Sequence, residues 1–475
     1  MALQPPVIVV PGITASVLRD EYPVKPEAVW RLVKKAYGRI ALHPDDVSPE
    51  TPDAPGPRYE RSEPARVRAD RVFGIPYGEL IEELRHDLTP RADEPTPVYP
   101  FAYDWRQPLR VVEAELARFV EEVVERTMLT RHYHRGGYWD DPRVDLVGHS
   151  MGGLVIAGYL EAHGGERVRK VATLATPFRG SFEAVIKVAV GTSNLSARSE
   201  SSRERETARV TPAIYHLVPS IPEAVEARGG LSEDLFDPDA WQRGVLETIV
   251  EYIRLYGLEG EEAGAVEEVK RERWRERARE LFGGMLATAA AHRDRITGFD
   301  LRDAEMKDDD WLCLVGVGEE TRVGLRIAPD DEGRPFFDLG SEHRKNGYLP
   351  PDERRKREER GEEPPEPWET GDGTVPYAGA KPPFLPLEKL VCVSGREFGY
   401  WEIRDRILNA GAGFHGILPK MNLAHKLVVA HFKAPKGEPG RAHDGLRGRR
   451  APDLAPDVAW DPPIAGLKER RLEEE

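Results

Sequence analysis

Two cysteines in 475 residues, Cys313 and Cys392, are too few for a disulfide framework. Each lies inside an apolar run that reads as a buried strand, where a free thiol behaves as a small hydrophobe. No Cys/His cluster has metal-site spacing and no glycine-rich phosphate loop occurs, so neither a metal nor a cofactor is called for. Runs of 18 or more apolar residues are missing too, and no transmembrane span is expected. The chain enters its first apolar run, Val7 to Val10, without a basic leader or small-residue cleavage site, so the expected location is cytoplasmic. Positive charge is in deficit: 68 Lys and Arg stand against 83 Asp and Glu, a formal net charge of −15. That balance repels nucleic acid phosphates and anionic lipid headgroups, so nucleic acid is not an expected partner.

What is present is a globular composition on a chain longer than one compact core usually needs. A catalytic domain with large insertions, or two domains, is expected. Val7 to Val10, Thr96 to Tyr103, Arg143 to Val147, Val168 to Leu174, Trp311 to Val317 and Leu387 to Ser394 read as strands. Between several of them lie helical patterns, carried by Leu109, Val112, Leu116, Val120 and Val123, and by Leu154, Ile156 and Leu160. This alternation predicts an α/β fold, a mostly parallel sheet with helices on both faces. After Pro177 the strand rhythm stops, and helical runs at Ala184 to Val190, Trp241 to Tyr256 and Val266 to Ala290 predict a largely helical cap inserted into the core. The resulting boundaries are a first core part over 1–177 with an irregular excursion at about 20–70, a cap over 178–305 and a last core part over 306–433. Within that last part a charged insertion is expected at about 319–370, and beyond it a poorly ordered tail over 434–475. The Arg/Glu run from Arg198 to Glu206 reads as a solvated loop, and membrane contact is expected to be at most peripheral, through the cap.

Gly148-His149-Ser150-Met151-Gly152 fits G-x-S-x-G, directly after the strand ending at Val147 and directly before a helix. That is the context of a nucleophile elbow, in which a serine occupies a strained turn of the α/β-hydrolase fold. A serine hydroxyl needs a histidine to take its proton and an acid to orient that histidine, and on this fold they follow in the order Ser, Asp, His. Asp372, in Gly371-Asp372-Gly373-Thr374-Val375-Pro376, has the right place in that order, although turn chemistry alone would also explain it. Among the late histidines, His415 lies in the glycine-rich stretch Gly411 to Gly416, whereas His425 and His431 fall on an apolar helical pattern. The backbone N–H groups of Ile13 and Met151 are the expected oxyanion hole.

Several stretches together resemble the lecithin:cholesterol acyltransferase family. They are Val9 to Ile13, Tyr103-Asp104-Trp105-Arg106, Val147 to Gly153, Ala175-Thr176-Pro177, Ala213 to Pro219, Gly371 to Pro376, and His415 with Asn422-Leu423. The resemblance implies a serine enzyme that moves fatty acyl groups from an ester lipid to water or an alcohol, with a cap following the Ala-Thr-Pro turn. It implies the same roles for Ser150, Asp372, His415, Ile13 and Met151. The secretory or anchoring segments and disulfides of family members that act on extracellular lipid have no counterpart in the sequence, which leaves the head group open. The sequence thus points to an esterase-like or lipase-like serine acyl hydrolase. An O-acyltransferase, or a binding protein on a hydrolase scaffold, stays open as an alternative.

Overall fold

Apolar runs without polar alternation need cover on both faces, and the sheet at the centre of the molecule is built largely from them. The computed structural model describes residues 3–21, 25–31, 35–44, 67–191, 202–257, 265–339, 355–356, 359–361, 370–399, 402 and 413–470. In chain order the first strands are β1 (Val7–Val10), β2 (Ser16–Asp20), β3 (Glu27–Trp30), β4 (Val67–Val72), β5 (Val98–Pro100) and β6 (Val144–His149). Then come β7 (Val168–Leu174), β8 (Val225–Ala227), β9 (Trp311–Val317), β10 (Leu325–Pro329), β11 (Pro335–Asp338) and β12 (Leu390–Ser394). Six of these form one parallel sheet in the order β12-β9-β7-β6-β1-β5.

The pleat sends alternate side chains of each strand to opposite faces. Val7, Val9, Val147, Leu174, Leu312 and Leu314 share a buried layer with the helices Gly74–Asp87 and Asn422–Phe432. Ile8, Val10, Leu146, Val171, Trp311 and Val315 share the other with the helices Leu109–Met128 and Met151–His163. The chain therefore has the α/β-hydrolase fold, an open parallel sheet with helices on both faces.

A second apolar cluster lies beside this core. It holds residues of the helices Phe182–Ala189, Ser202–Arg209, Arg243–Tyr256 and Glu267–Gly298. Helix Glu267–Gly298 joins the two bodies: Ala278, Leu281, Phe282 and Met285 pack in the second cluster, and Ile296 packs in the first. Val266, just before the start of this helix, is 70% exposed. The second cluster is not purely helical, because β8 pairs in parallel with β10, which pairs antiparallel with β11. Residues 325–338, read as part of a charged insertion, thus supply two of its strands.

Three further expectations need correction. The excursion at 20–70 is regular where it is described: β2 carries β3 and β4 antiparallel on its two sides, while residues 45–66 lie outside the described residues. Of the Arg198 to Glu206 run, residues 198–201 lie outside the described residues, and the rest begins the helix Ser202–Arg209, with Glu204 buried beside Lys187. The stretch 434–475 is no loose tail over 434–470. Its short strands β13 (Gly440–Arg441), β14 (Arg447–Gly448), β15 (Ile464–Ala465) and β16 (Lys468–Glu469) pair β13 with β15 and β14 with β16. Leu446 and Ile464 are buried, Arg449 exchanges backbone hydrogen bonds with Cys392, and the Trp460 indole donates to the Leu390 carbonyl. Few apolar anchors suffice there, because the segment covers the edge of the sheet at β12, whose backbone groups need partners.

Candidate active site

Ser150 stands between the end of β6 and the helix Met151–His163 with φ 53° and ψ −128°, a conformation that side chains rarely adopt. The turn is held by Ser150 N–H donating to Leu174 O at 2.9 Å and Gly153 N–H donating to Ser150 O at 3.0 Å. Gly152 passes so close to β1 that a methyl group there would lie 2.7 Å from the Pro11 carbonyl oxygen and closer still to that of Val10. The elbow and the loop after β1 are therefore packed backbone to backbone.

The structure brings Ser150, His415 and Asp372 together across the chain. His415 Nε2 is 2.9 Å from Ser150 Oγ, and His415 Nδ1 is 2.7 Å from Asp372 Oδ2. Asp372 is buried, and its Oδ1 accepts the N–H groups of Thr374 at 2.9 Å and Val375 at 2.7 Å. The turn that suggested a plain structural aspartate is thus present, and one carboxylate oxygen serves the turn while the other faces the histidine. With Asp372 accepting from Nδ1–H, the free Nε2 lone pair faces the serine hydroxyl. His415 N–H also donates to Asp372 O at 3.1 Å, which ties the two residues by backbone as well.

Ile13 follows β1 and Gly12, and Met151 opens the helix after the serine. Among the described residues nothing accepts a hydrogen bond from either N–H. His425 and His431 are elsewhere: His425 Nε2 bonds Pro419 O at 2.7 Å and His431 Nε2 bonds Val171 O at 3.1 Å, and burial lowers the pKa of both rings. The Tyr103-Asp104-Trp105-Arg106 stretch is a packing element. Tyr103 donates to Pro11 O, Trp105 packs on Trp30, and the Arg106 guanidinium joins Asp104 to the carbonyls of Ile40 and Val67.

Two neighbours of the site carried no signal in the sequence. His149 Nδ1 lies 2.7 Å from the Tyr77 hydroxyl, and His149 Nε2 lies 3.0 Å from the His415 carbonyl. Burial holds the His149 pKa well below its ordinary value, so the ring is neutral. Tyr77 comes from a helix 72 positions away, and only the fold reveals the contact. Among the described residues no group of three or more His, Cys, Asp or Glu side chains is placed to hold a metal ion. No helix among them is long and apolar enough to cross a membrane.

Residues 93–236 match the model of the lecithin:cholesterol acyltransferase family, a span that contains Ser150 but neither Asp372 nor His415. Among solved structures, the chain is similar to one in the crystal structure of the Tle4-Tli4 complex, at 14% identity and a TM-score of 0.56, over 91% of this chain and 98% of that one. At this identity the likeness is one of fold. A gene product of Listeria innocua is matched at 16% identity with a TM-score of 0.18, over 54% of this chain and 79% of that one. No curated protein matches the chain. The resemblance to the lecithin:cholesterol acyltransferase family thus holds over residues 93–236, on an α/β-hydrolase fold.

Proposed function

We propose that the chain is a serine acyl hydrolase that cleaves carboxylic, lipid-type esters through an acyl-Ser150 intermediate. The observation that carries this reading is the continuous series from Ser150 Oγ through the His415 ring to Asp372, at 2.9 and 2.7 Å. In this reading His415 Nε2 takes the serine proton as Oγ attacks the ester carbonyl, and Asp372 stabilises the imidazolium that forms. The N–H groups of Ile13 and Met151 receive the charge that develops on the carbonyl oxygen. Collapse of the tetrahedral adduct expels the alcohol, which takes its proton from His415. Water then attacks the acyl-enzyme with His415 as general base and releases the acid.

Transfer of the acyl group to an alcohol is the second reading, and the match to an acyltransferase family favours keeping it. The two share every step up to the acyl-enzyme and differ only in the acceptor. Residues 178–305, whose helices build most of the second apolar cluster, serve in this proposal together with β10 and β11 as a cap that shapes the lipid site. Location in the cytoplasm is part of the same proposal.

The test is turnover of p-nitrophenyl esters from acetate to palmitate by wild type and by Ser150→Ala, repeated with a series of alcohols. Preference for medium or long chains, with the variant inactive, supports the reading. Equal activity of the two proteins sinks it, and predominance of ester product at low alcohol concentration turns it to acyl transfer.

A further inference from the structure

A buried hydrogen-bond chain runs behind Ser150 from the loop after β1 to the backbone of His415. Gly12 N–H donates to the Tyr77 hydroxyl at 2.9 Å, that hydroxyl lies 2.7 Å from His149 Nδ1, and His149 Nε2 lies 3.0 Å from the His415 carbonyl oxygen. Its two ends fix the direction of every proton, because an amide N–H can only donate and a carbonyl can only accept. His149 must therefore carry its proton on Nε2 and accept at Nδ1, while Tyr77 donates to Nδ1 and accepts from Gly12. Both side chains are nearly sealed from solvent, at 1% and 5% exposed. Burial lowers the imidazole pKa and raises the phenol pKa, so both stay neutral over the working pH range.

The chain reaches both parts of the site that must stay in register with the nucleophile. Gly12 packs against the serine so closely that a methyl on it would lie 2.9 Å from Ser150 Cβ. Its own carbonyl accepts Ala15 N–H at 3.3 Å within the turn, and in a trans peptide the following N–H, that of Ile13, points the opposite way. At the other end the His415 backbone is held on both sides, its carbonyl by His149 and its N–H by Asp372 O. The His149 ring also lies against the His415 ring, with centroids 5.1 Å apart.

We infer that Tyr77 and His149 are positioning residues that hold the Gly12-Ile13 loop and the backbone of His415 in register around Ser150. Neither touches the reacting atoms. The inference rests on the proposed serine-hydrolase reading, in which Ile13 N–H and His415 act on the same tetrahedral adduct. Losing an oxyanion donor altogether costs about 10²–10³ in kcat, so a donor left in place but misaimed should cost about 10–100-fold.

The experiment counts active sites with a fluorophosphonate and measures ester turnover per labelled site in wild type, Tyr77→Phe, His149→Leu and His149→Gln. Tyr77→Phe keeps the ring and loses only the hydroxyl. His149→Gln keeps a donor for the His415 carbonyl, whereas His149→Leu does not. The expected result is near-complete labelling of Tyr77→Phe and His149→Leu, with kcat per site down about 10–100-fold, KM within about twofold, and partial recovery in His149→Gln. A purely structural role would lower the labelled fraction and leave the rate per site unchanged. Wild-type kcat per site in Tyr77→Phe, or no difference between His149→Leu and His149→Gln, overturns the inference while leaving the serine-hydrolase reading intact. Failure of wild type itself to label and turn over removes that reading, and the inference with it.

Discussion

Replacing Gly152 by alanine tests how closely the elbow depends on backbone contact. The new methyl would lie 2.7 Å from Pro11 O, 2.8 Å from the Val10 carbonyl carbon and nearer still to Val10 O. Ordinary carbon contacts settle at about 3.5–4.0 Å, so the start of the helix Met151–His163 and the end of β1 must separate by roughly 1 Å. None of the three atoms it would meet belongs to a flexible side-chain tip that could yield instead, since all are backbone. Because Met151 sits on one side of that gap and Ile13 on the other, the separation is transmitted directly between the two N–H donors of the proposed oxyanion hole. A misplacement of this size costs on the order of 100-fold in rate, or about 2.7 kcal/mol of transition-state stabilisation. The assay is kcat and KM on p-nitrophenyl butyrate, with thermal melts of each protein and Gly78→Ala as control. A methyl on Gly78 meets nothing within 4 Å, so this control should keep full activity and gain up to about 1 kcal/mol from helix propensity. Gly152→Ala with kcat within threefold of wild type and an unchanged melt would show that elbow and loop move independently, and the reasoning would fail.

Two other outcomes follow from the core. Glu115 has its pKa raised to about 7 by burial and then by the negative charge of Asp104. Between about 4.5 and 7 the folded state holds a proton that the unfolded chain releases, so this group makes stability fall as pH rises through that window and leaves a constant penalty above it. Glu115→Gln should therefore stabilise the protein at pH 8 by no more than about 1–2 kcal/mol, because the carboxylate is partly screened, and hardly at all at pH 4. Urea melts at the two values decide it, and an equal change at both would refute the assignment. Ile464→Ala, in the segment that the sequence assigned to a loose tail, should cost about 2–5 kcal/mol because Ile464 is fully buried. An unchanged urea midpoint would mean that the segment does not pack on the core.

The parts legible in the sequence share one property: their signal is local. Strands β1, β9 and β12 are nearly continuous apolar runs, β6 and β7 are mostly apolar with Asp145, Arg169 and Lys170 near their starts, and the helix Leu109–Met128 has a clear amphipathic stripe. The Ser150 elbow is equally local, a pentapeptide between a strand and a helix. Asp372 and His415 needed chain order besides their own surroundings, and the structure brings both to Ser150. What escaped was set by partners far along the chain. β8 is three residues long and exists through its pairing with β10 about 100 positions on. The 440–470 segment takes its order from the edge of β12 and a few buried anchors, while its Pro, Gly and charge content resembles that of a disordered chain. Tyr77 lies on a helix that had no distinct reading at all, and nothing near it in sequence speaks of Gly12 or His149.

The chain that leaves β9 is fastened just beyond it and again just before Asp372. Glu319 N–H donates to Gly371 O at 3.0 Å, Thr370 Oγ1 donates to Glu319 O, and Gly373 N–H donates to Thr321 Oγ1 at 2.8 Å. Gly371 closes this clasp at φ 151°, with Val375 O too near to admit a side chain. The position of the acid is consequently decoupled from the length of chain between the two fastenings. Closing a flexible loop twice as long adds only about 0.6 kcal/mol of entropic cost, so lengthening the chain between the fastenings outside β10 and β11, which pack in the second cluster, should cost little stability and leave the clasp intact. The clasp makes this stretch a place where the chain can lengthen while the residues around Asp372 stay fastened to the end of β9.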